Sequence, residues 1–144
     1  MASSAERILE LQEEIARRKA QPSDERAGER AVLTFFLAGE RYAFPLESVR
    51  EVCRPAAITA LPGLPPFVLG AMGLRGEVLA VLDLRRLLGL AEGTPTPASR
   101  LIVIRPGTVT AALLVDQVED ILTLPEALLQ PPPAEAGGGE WPFL

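Results

Sequence analysis

The stretch VLGAMGLRGEVLAVLDL, Val68 to Leu84, is almost wholly apolar, yet it carries three glycines spaced three apart and, between two of them, an arginine. Two short β-rich runs flank Leu74-Arg75-Gly76-Glu77, which leaves two residues at the tip of a hairpin; glycine in the third position predicts a type II turn, where a positive φ is required. Gly70 and Gly73 fall inside a strand pattern and so mark a bend or a close backbone approach, since glycine otherwise weakens a strand. The same glycines do not form a phosphate cradle. A triphosphate loop needs a lysine followed by a hydroxyl residue, and a dinucleotide fingerprint needs a helix opening from the glycines, whereas here a strand follows. Arg75 has two readings on spacing alone: a charged residue on an exposed turn, or a guanidinium at the lip of a groove that forks onto a partner's carboxylate or carbonyls.

Working outward, the chain is a series of short runs rich in β-branched and aromatic residues, divided by turn signals. VLTFFL, RYAFP and VREVC precede the glycine stretch, with one helical turn at LES; RLIVIR, VTAALLV and VEDILTL follow it. Asp83 can cap a short helix at DLRRLLGL that Gly89 closes. Thr123 and Glu126 have capping-box spacing, with Pro125 in a first-turn position, so a further short helix is expected at LPEALLQ. At the other end Ser3 and Glu6 form a capping box, and Ile8, Leu11 and Ile15 share one narrow face of a helix ending near Ala20. The polar segment QPSDERAGER then reads as a linker. The helix is either a mobile extension or one that docks on a partner, or else it packs on its own domain.

The later strands repeat the earlier ones. With an offset of 69, RYAFPLESVREV falls on TAALLVDQVEDI, so that Phe44, Leu46, Glu47, Val49, Glu51 and Val52 match Leu113, Val115, Asp116, Val118, Asp120 and Ile121. Two related half-structures follow, each expected to be a small curled sheet, meeting along a seam.

Composition narrows the function. With 144 residues, 48% apolar and 23% charged, the chain has room for one ordinary packed domain or two very small ones. The net charge is −5, and the thirteen arginines and single lysine form no long cluster, so nucleic acid is not an expected partner. No apolar run is long enough to span a membrane and the amino terminus lacks a signal-peptide core, so a cytoplasmic location is expected. The one cysteine, Cys53, fits a reducing compartment. Histidine is absent, which removes the commonest general base and metal ligand and leaves Cys53 without an imidazole to activate it. Neither an enzyme nor a cofactor or metal protein is expected.

GERYAFPLESVREV, then ITALPGLPPFVLGAMGLRGEVLAVLDLRRLLGL, then LLVDQVEDILTLPEALLQPPP resemble, in sequence and in order, the CheW family of bacterial chemotaxis adaptors. The resemblance implies a mostly β fold of two small Src-homology-3-like barrels packed together, here with an N-terminal helical extension. It divides the chain into helix and linker at 1–30, a domain at 31–133 with a first repeat at 31–94 and a partial second at 95–133, and a tail at 134–144. It also implies an adaptor, not an enzyme, that couples the cytoplasmic tip of a methyl-accepting chemoreceptor to a CheA-type histidine kinase. By position, Val49, Glu51 and Val52 resemble the receptor-facing groove of that family, and Leu74 and Arg75 its leucine-arginine-glycine turn. On pattern alone the two valines suit a core equally well.

Two departures stand out. Gly73 replaces the asparagine usual before the leucine of that turn, and the family's second glycine turn, strand pair and closing helix are replaced by AEAGGGEWPFL. The second barrel is therefore expected to be short of strands, with an open edge. Trp141 and Phe143 plugging the gap, or self-association, would complete it. A shortened module of this kind that occupies kinase or receptor without coupling them is the alternative function.

Overall fold

The computed structural model describes residues 4–20, 28–105, 109–125 and 127. Two hairpins with matching tips set the architecture. Strands β1 (Glu29–Leu37) and β2 (Glu40–Pro45) meet at Ala38-Gly39, and β4 (Val68–Leu74) and β5 (Glu77–Asp83) meet at Arg75-Gly76. In both tips the two central residues have positive φ: 51° and 82° at Ala38 and Gly39, 51° and 83° at Arg75 and Gly76. The glycine turn is thus type I′, not the type II expected from its sequence. The primed turn wins because its backbone twist matches that of the two strands it joins.

A single turn of 3-10 helix, Leu46–Ser48, carries the chain from β2 into β3 (Val49–Cys53). After β5 come a short helix α2 (Leu84–Leu87), then β6 (Arg100–Ile104), β7 (Ala111–Val115) and β8 (Gln117–Pro125). As expected, Asp83 caps α2, its carboxylate accepting from the Arg85 amide at 3.1 Å, and Gly89 follows with φ 73°. β8 keeps Thr123 to Pro125 in the sheet opposite Ala31, Arg30 and Glu29. Apart from Ala127, the rest of the short helix expected there, the tail and the Trp141 and Phe143 plug lie outside the described residues.

The strands form two packed sheets, one of three strands in the order β2-β1-β8 and one of five in the order β3-β6-β7-β5-β4. All neighbours are antiparallel except β5 and β7. The mostly β architecture follows the expectation, but the two copies of the repeat do not each keep a sheet of their own. In the first copy the chain leaves the three-stranded sheet as β2 and enters the five-stranded sheet as β3. In the second it makes the reverse passage, from β7 to β8. The repeat is therefore the crossing itself: Phe44, Leu46, Val49 and Val52 in one copy, and Leu113, Val115, Val118 and Ile121 in the other, are all buried in one cluster between the sheets. Burying four aliphatic or aromatic side chains at each crossing contributes about 1.5–3 kcal/mol per residue against exposure, which is why the pattern had to be written twice. Phe35 stacks on Phe44 at 5.1 Å within the same layer.

The five-stranded sheet curls until its ends meet. Beyond β3 the chain returns to the edge of β4, where Thr59 and Ala71 exchange backbone hydrogen bonds of 2.8 and 3.0 Å. Inside the curl Met72, Leu79, Val81, Leu101, Val103 and Ala112 form a second buried cluster. Gly70 permits this closure: its φ is 149°, and a Cβ there would lie 2.1 Å from the Thr59 carbonyl oxygen. That is the close approach expected of it, whereas Gly73 meets no such constraint, with nothing nearer than 4.0 Å.

Arg85 and Asp116 fasten the crossings. The Arg85 Nε donates to both carboxylate oxygens of Asp116, at 2.9 and 3.1 Å, and its Nη2 donates to Oδ2 as well. Asp116 also accepts from the Ala38 amide at 2.9 Å, so the β7–β8 corner, α2 and the β1–β2 tip are held by one carboxylate.

Two predictions follow from these junctions. Partial burial alone would raise the Asp116 pKa, but the Arg85 and Ala38 hydrogen bonds outweigh it and hold the carboxyl below its ordinary value. The stability it contributes is therefore present at neutral pH and lost as pH falls below the ordinary aspartate value of about 3.9 and through the lower folded-state value. Asp116→Asn should destabilise by about 1–2 kcal/mol in urea titrations at pH 7, with the difference from wild type shrinking toward zero in strong acid. Gly70→Ala should lower stability by about 3 kcal/mol or more in the same titrations, because neither its φ nor the Thr59 backbone leaves room.

Candidate functional site

The N-terminal helix α1 (Ser4–Ala20) does not stand apart. It lies against β3, with Leu11 and Ile15 buried in the cluster that also holds Val49 and Val52. Of the two readings of this helix, the packed one describes the structure.

Around β3 the expected site residues divide into two groups. Val49 and Val52 are fully buried under α1 and between the sheets. In this conformation they present no surface to a partner, since helix and sheets cover both of their sides. Glu51, Leu74 and Arg75 come together at the edge. The Arg75 Nη1 donates to Glu51 Oε1 at 2.8 Å, across 24 residues of sequence. The two ends of this pair sit in different surroundings: the Glu51 side chain is 7% exposed, that of Arg75 71%. Leu74, half-buried, packs its side chain into the interior of the curled sheet. The hairpin thereby roots itself by the leucine and raises the arginine at its tip.

A residue not foreseen completes the arrangement. Gln12 of α1 donates from Nε2 to the second Glu51 oxygen at 3.2 Å, and its Oε1 accepts from the Val52 amide at 3.0 Å. Glu51 is thus gripped by Arg75 on one oxygen and by the helix on the other. The only sequence signal for Gln12 was its place on the helix between Leu11 and Ile15. Further out, Arg50 and Glu77 form an exposed pair at 3.0 Å that ties β3 to the start of β5.

Cys53 ends the same strand. Burial pushes its thiol from 9.0 up to about 11, the neighbouring Glu51 charge adding to the rise and Arg75 opposing it. At neutral pH it is a protonated, half-buried packing group, not a nucleophile. Leu61 and Leu64, in the loop after β3, and Val78 on β5, which is 80% exposed, are large apolar side chains left on the surface.

Fold and site together define a β scaffold: two sheets joined by a double chain crossing, with a braced arginine at the tip of a hairpin. The family model of the CheW-like domain matches residues 31–141. The chain belongs to the CheW-like family. It is 36% identical over 106 residues to a probable chemotaxis protein CheW of Rhizobium etli, covering 74% of this chain and 68% of that one. It is 39% identical over 105 residues to the protein FrzA of Myxococcus xanthus, covering 73% and 66%. Among solved structures, the scaffolding protein TtCheW of Thermoanaerobacter tengcongensis matches with a TM-score of 0.67 at 32% identity, over 72% of this chain and 71% of that one. None of the helices among the described residues is long and apolar enough to cross a membrane.

Alkylation of Cys53 by iodoacetamide tests the electrostatics of the site. With its pKa raised from 9.0 to about 11, the thiol carries about a hundredfold less thiolate at pH 8, so the reaction there should be about tenfold or more slower than that of an ordinary thiol. Glu51→Gln should quicken it by removing the nearby charge. An ordinary rate in the native wild-type protein would contradict the arrangement.

Proposed function

We propose that this protein is a cytoplasmic, non-enzymatic adaptor that couples the tip of a methyl-accepting chemoreceptor to a CheA-type histidine kinase. Family membership supports the adaptor class, and one observation carries the site: Arg75 is exposed on a tight turn while one of its nitrogens is anchored on a buried carboxylate. A guanidinium fixed in this way has lost most of its rotamer freedom before a partner arrives, so its outward-facing N–H groups bind with less ordering to overcome. The receptor tip is a helical hairpin, and the polar edge at Arg75 and Glu51 lies beside Val49 and Val52, which α1 covers in this conformation and which suit the stripe of an amphipathic helix only once uncovered. The exposed Leu61, Leu64 and Val78 supply apolar contact for a second partner, the kinase.

The alternative function, a module that occupies kinase or receptor without coupling them, draws on the three-stranded sheet, which is two strands shorter than its neighbour among the described residues. Kinase activity in a reconstituted mixture of receptor, kinase and this protein separates the two. A coupling adaptor raises it, and a decoy binds without raising it.

Arg75→Ala should weaken binding to a soluble receptor-tip hairpin by about thirtyfold, the equivalent of about 2 kcal/mol for one central anchor, while far-ultraviolet circular dichroism stays that of the wild type. Unchanged affinity would remove Arg75 from the site.

A further inference from the structure

The helix α1 occupies the face of β3 that the preceding reading gives to a receptor helix, and the way it is held shows what that face accepts. Leu11 and Ile15 stand one turn apart and are buried against Val49 and Val52. Between them Gln12 makes a two-sided contact, accepting from the Val52 amide at 3.0 Å and donating to Glu51 at 3.2 Å. The face thus reads an aliphatic pair at i and i+4 with a carboxamide at i+1. Leu9, off the docked stripe, is 59% exposed. The family domain, moreover, begins at residue 31, after the helix. The family model thus matches the CheW-like unit without needing α1.

We propose that α1 is an exchangeable, intramolecular occupant of a helix-docking face on β3, and that a partner helix with the same aliphatic, carboxamide, aliphatic pattern binds by displacing it. This rests on the reading of Val49, Glu51 and Val52 as partner-facing. Residues 21–28 tether α1 to the face it covers, which gives it a high effective concentration there and sets a threshold that a single weak partner helix does not pass. Displacement exposes the two valines, frees one Glu51 oxygen and leaves the Arg75 pair in place to meet the incoming helix. Arrayed receptor tips, which present many copies of a helix, would pass the threshold together.

The Val52 amide reports the exchange by itself. It donates to Gln12 of α1, so lifting the helix removes that partner while β3 keeps its register with β6. In the wild-type full chain, hydrogen exchange at Val52 should be about a hundredfold or more faster than at the core amides of β6, such as Ile102. A labelled peptide with the sequence of residues 4–20 should bind full-length Leu11→Asp/Ile15→Asp, whose own helix cannot dock, about tenfold or more tighter than wild type. Gln12→Ala, the milder change, should fall between them and decides the matter should the double variant fail to fold. Val52 protection equal to that of Ile102, or equal peptide affinity for wild type and variants, would overturn the proposal and make α1 a fixed part of the core. If the peptide shows the gain and a receptor-tip hairpin does not, the docking face and its exchangeable occupant stand, and it is the receptor as partner that is refuted.

Discussion

The carboxylate of Glu51, buried on β3, is the group around which the candidate site is organised. A charge out of water needs compensation from partners that stay in place, and here they come from two distant parts of the chain: Arg75 at the tip of the β4–β5 hairpin and Gln12 on α1. Each contact positions an element. The first fixes the height and direction of the hairpin tip, which would otherwise be free to swing on its two-residue turn. The second sets the rotation of α1, so that Leu11 and Ile15, and not its polar face, meet the valines. The thiol of Cys53 feels the same charge, which shows how far its influence extends along the strand.

This local order is possible because β3 is where the two sheets meet. Having crossed from the three-stranded sheet, the chain enters β3 with Val49 and Val52 already committed to the shared cluster, while Cys53, at the far end, packs with the interior of the curled sheet. A strand that serves two cores has little freedom to shift register. The Arg85–Asp116 junction performs a comparable task at the reciprocal crossing, between β7 and β8. Such junctions hold the two sheets in a fixed relation, since close-packed crossings leave little room for either sheet to shift alone.

Much of this was legible in the residues. The alternating short runs marked the strands; the offset repeat marked the two crossings; Gly70 marked the close backbone approach. What the repeat could not disclose was that its copies exchange sheets, because a pattern of inward-facing side chains states that a residue is buried and not which strand lies beside it. The turn type at Arg75-Gly76 was missed because the twist of the flanking strands, not the glycine alone, selects it. The division of the site residues was illegible for a similar reason. Val49 and Val52 have the same pattern whether they face a core or a partner, and only the position of α1 resolves it. Gln12, an ordinary polar residue on a helix, had only its place between Leu11 and Ile15 to mark it, which gains meaning once the helix lies on β3.

Arg75 and Glu51 act as one unit in which the buried charge is made tolerable by the exposed one. A double-mutant cycle on stability, with Arg75→Ala, Glu51→Gln and the two combined in the full chain, measures this most directly. Glu51→Gln should recover much of what Arg75→Ala loses, with a coupling of about 1 kcal/mol. Strictly additive effects would mean that the two side chains merely lie near one another, and would contradict that coupling.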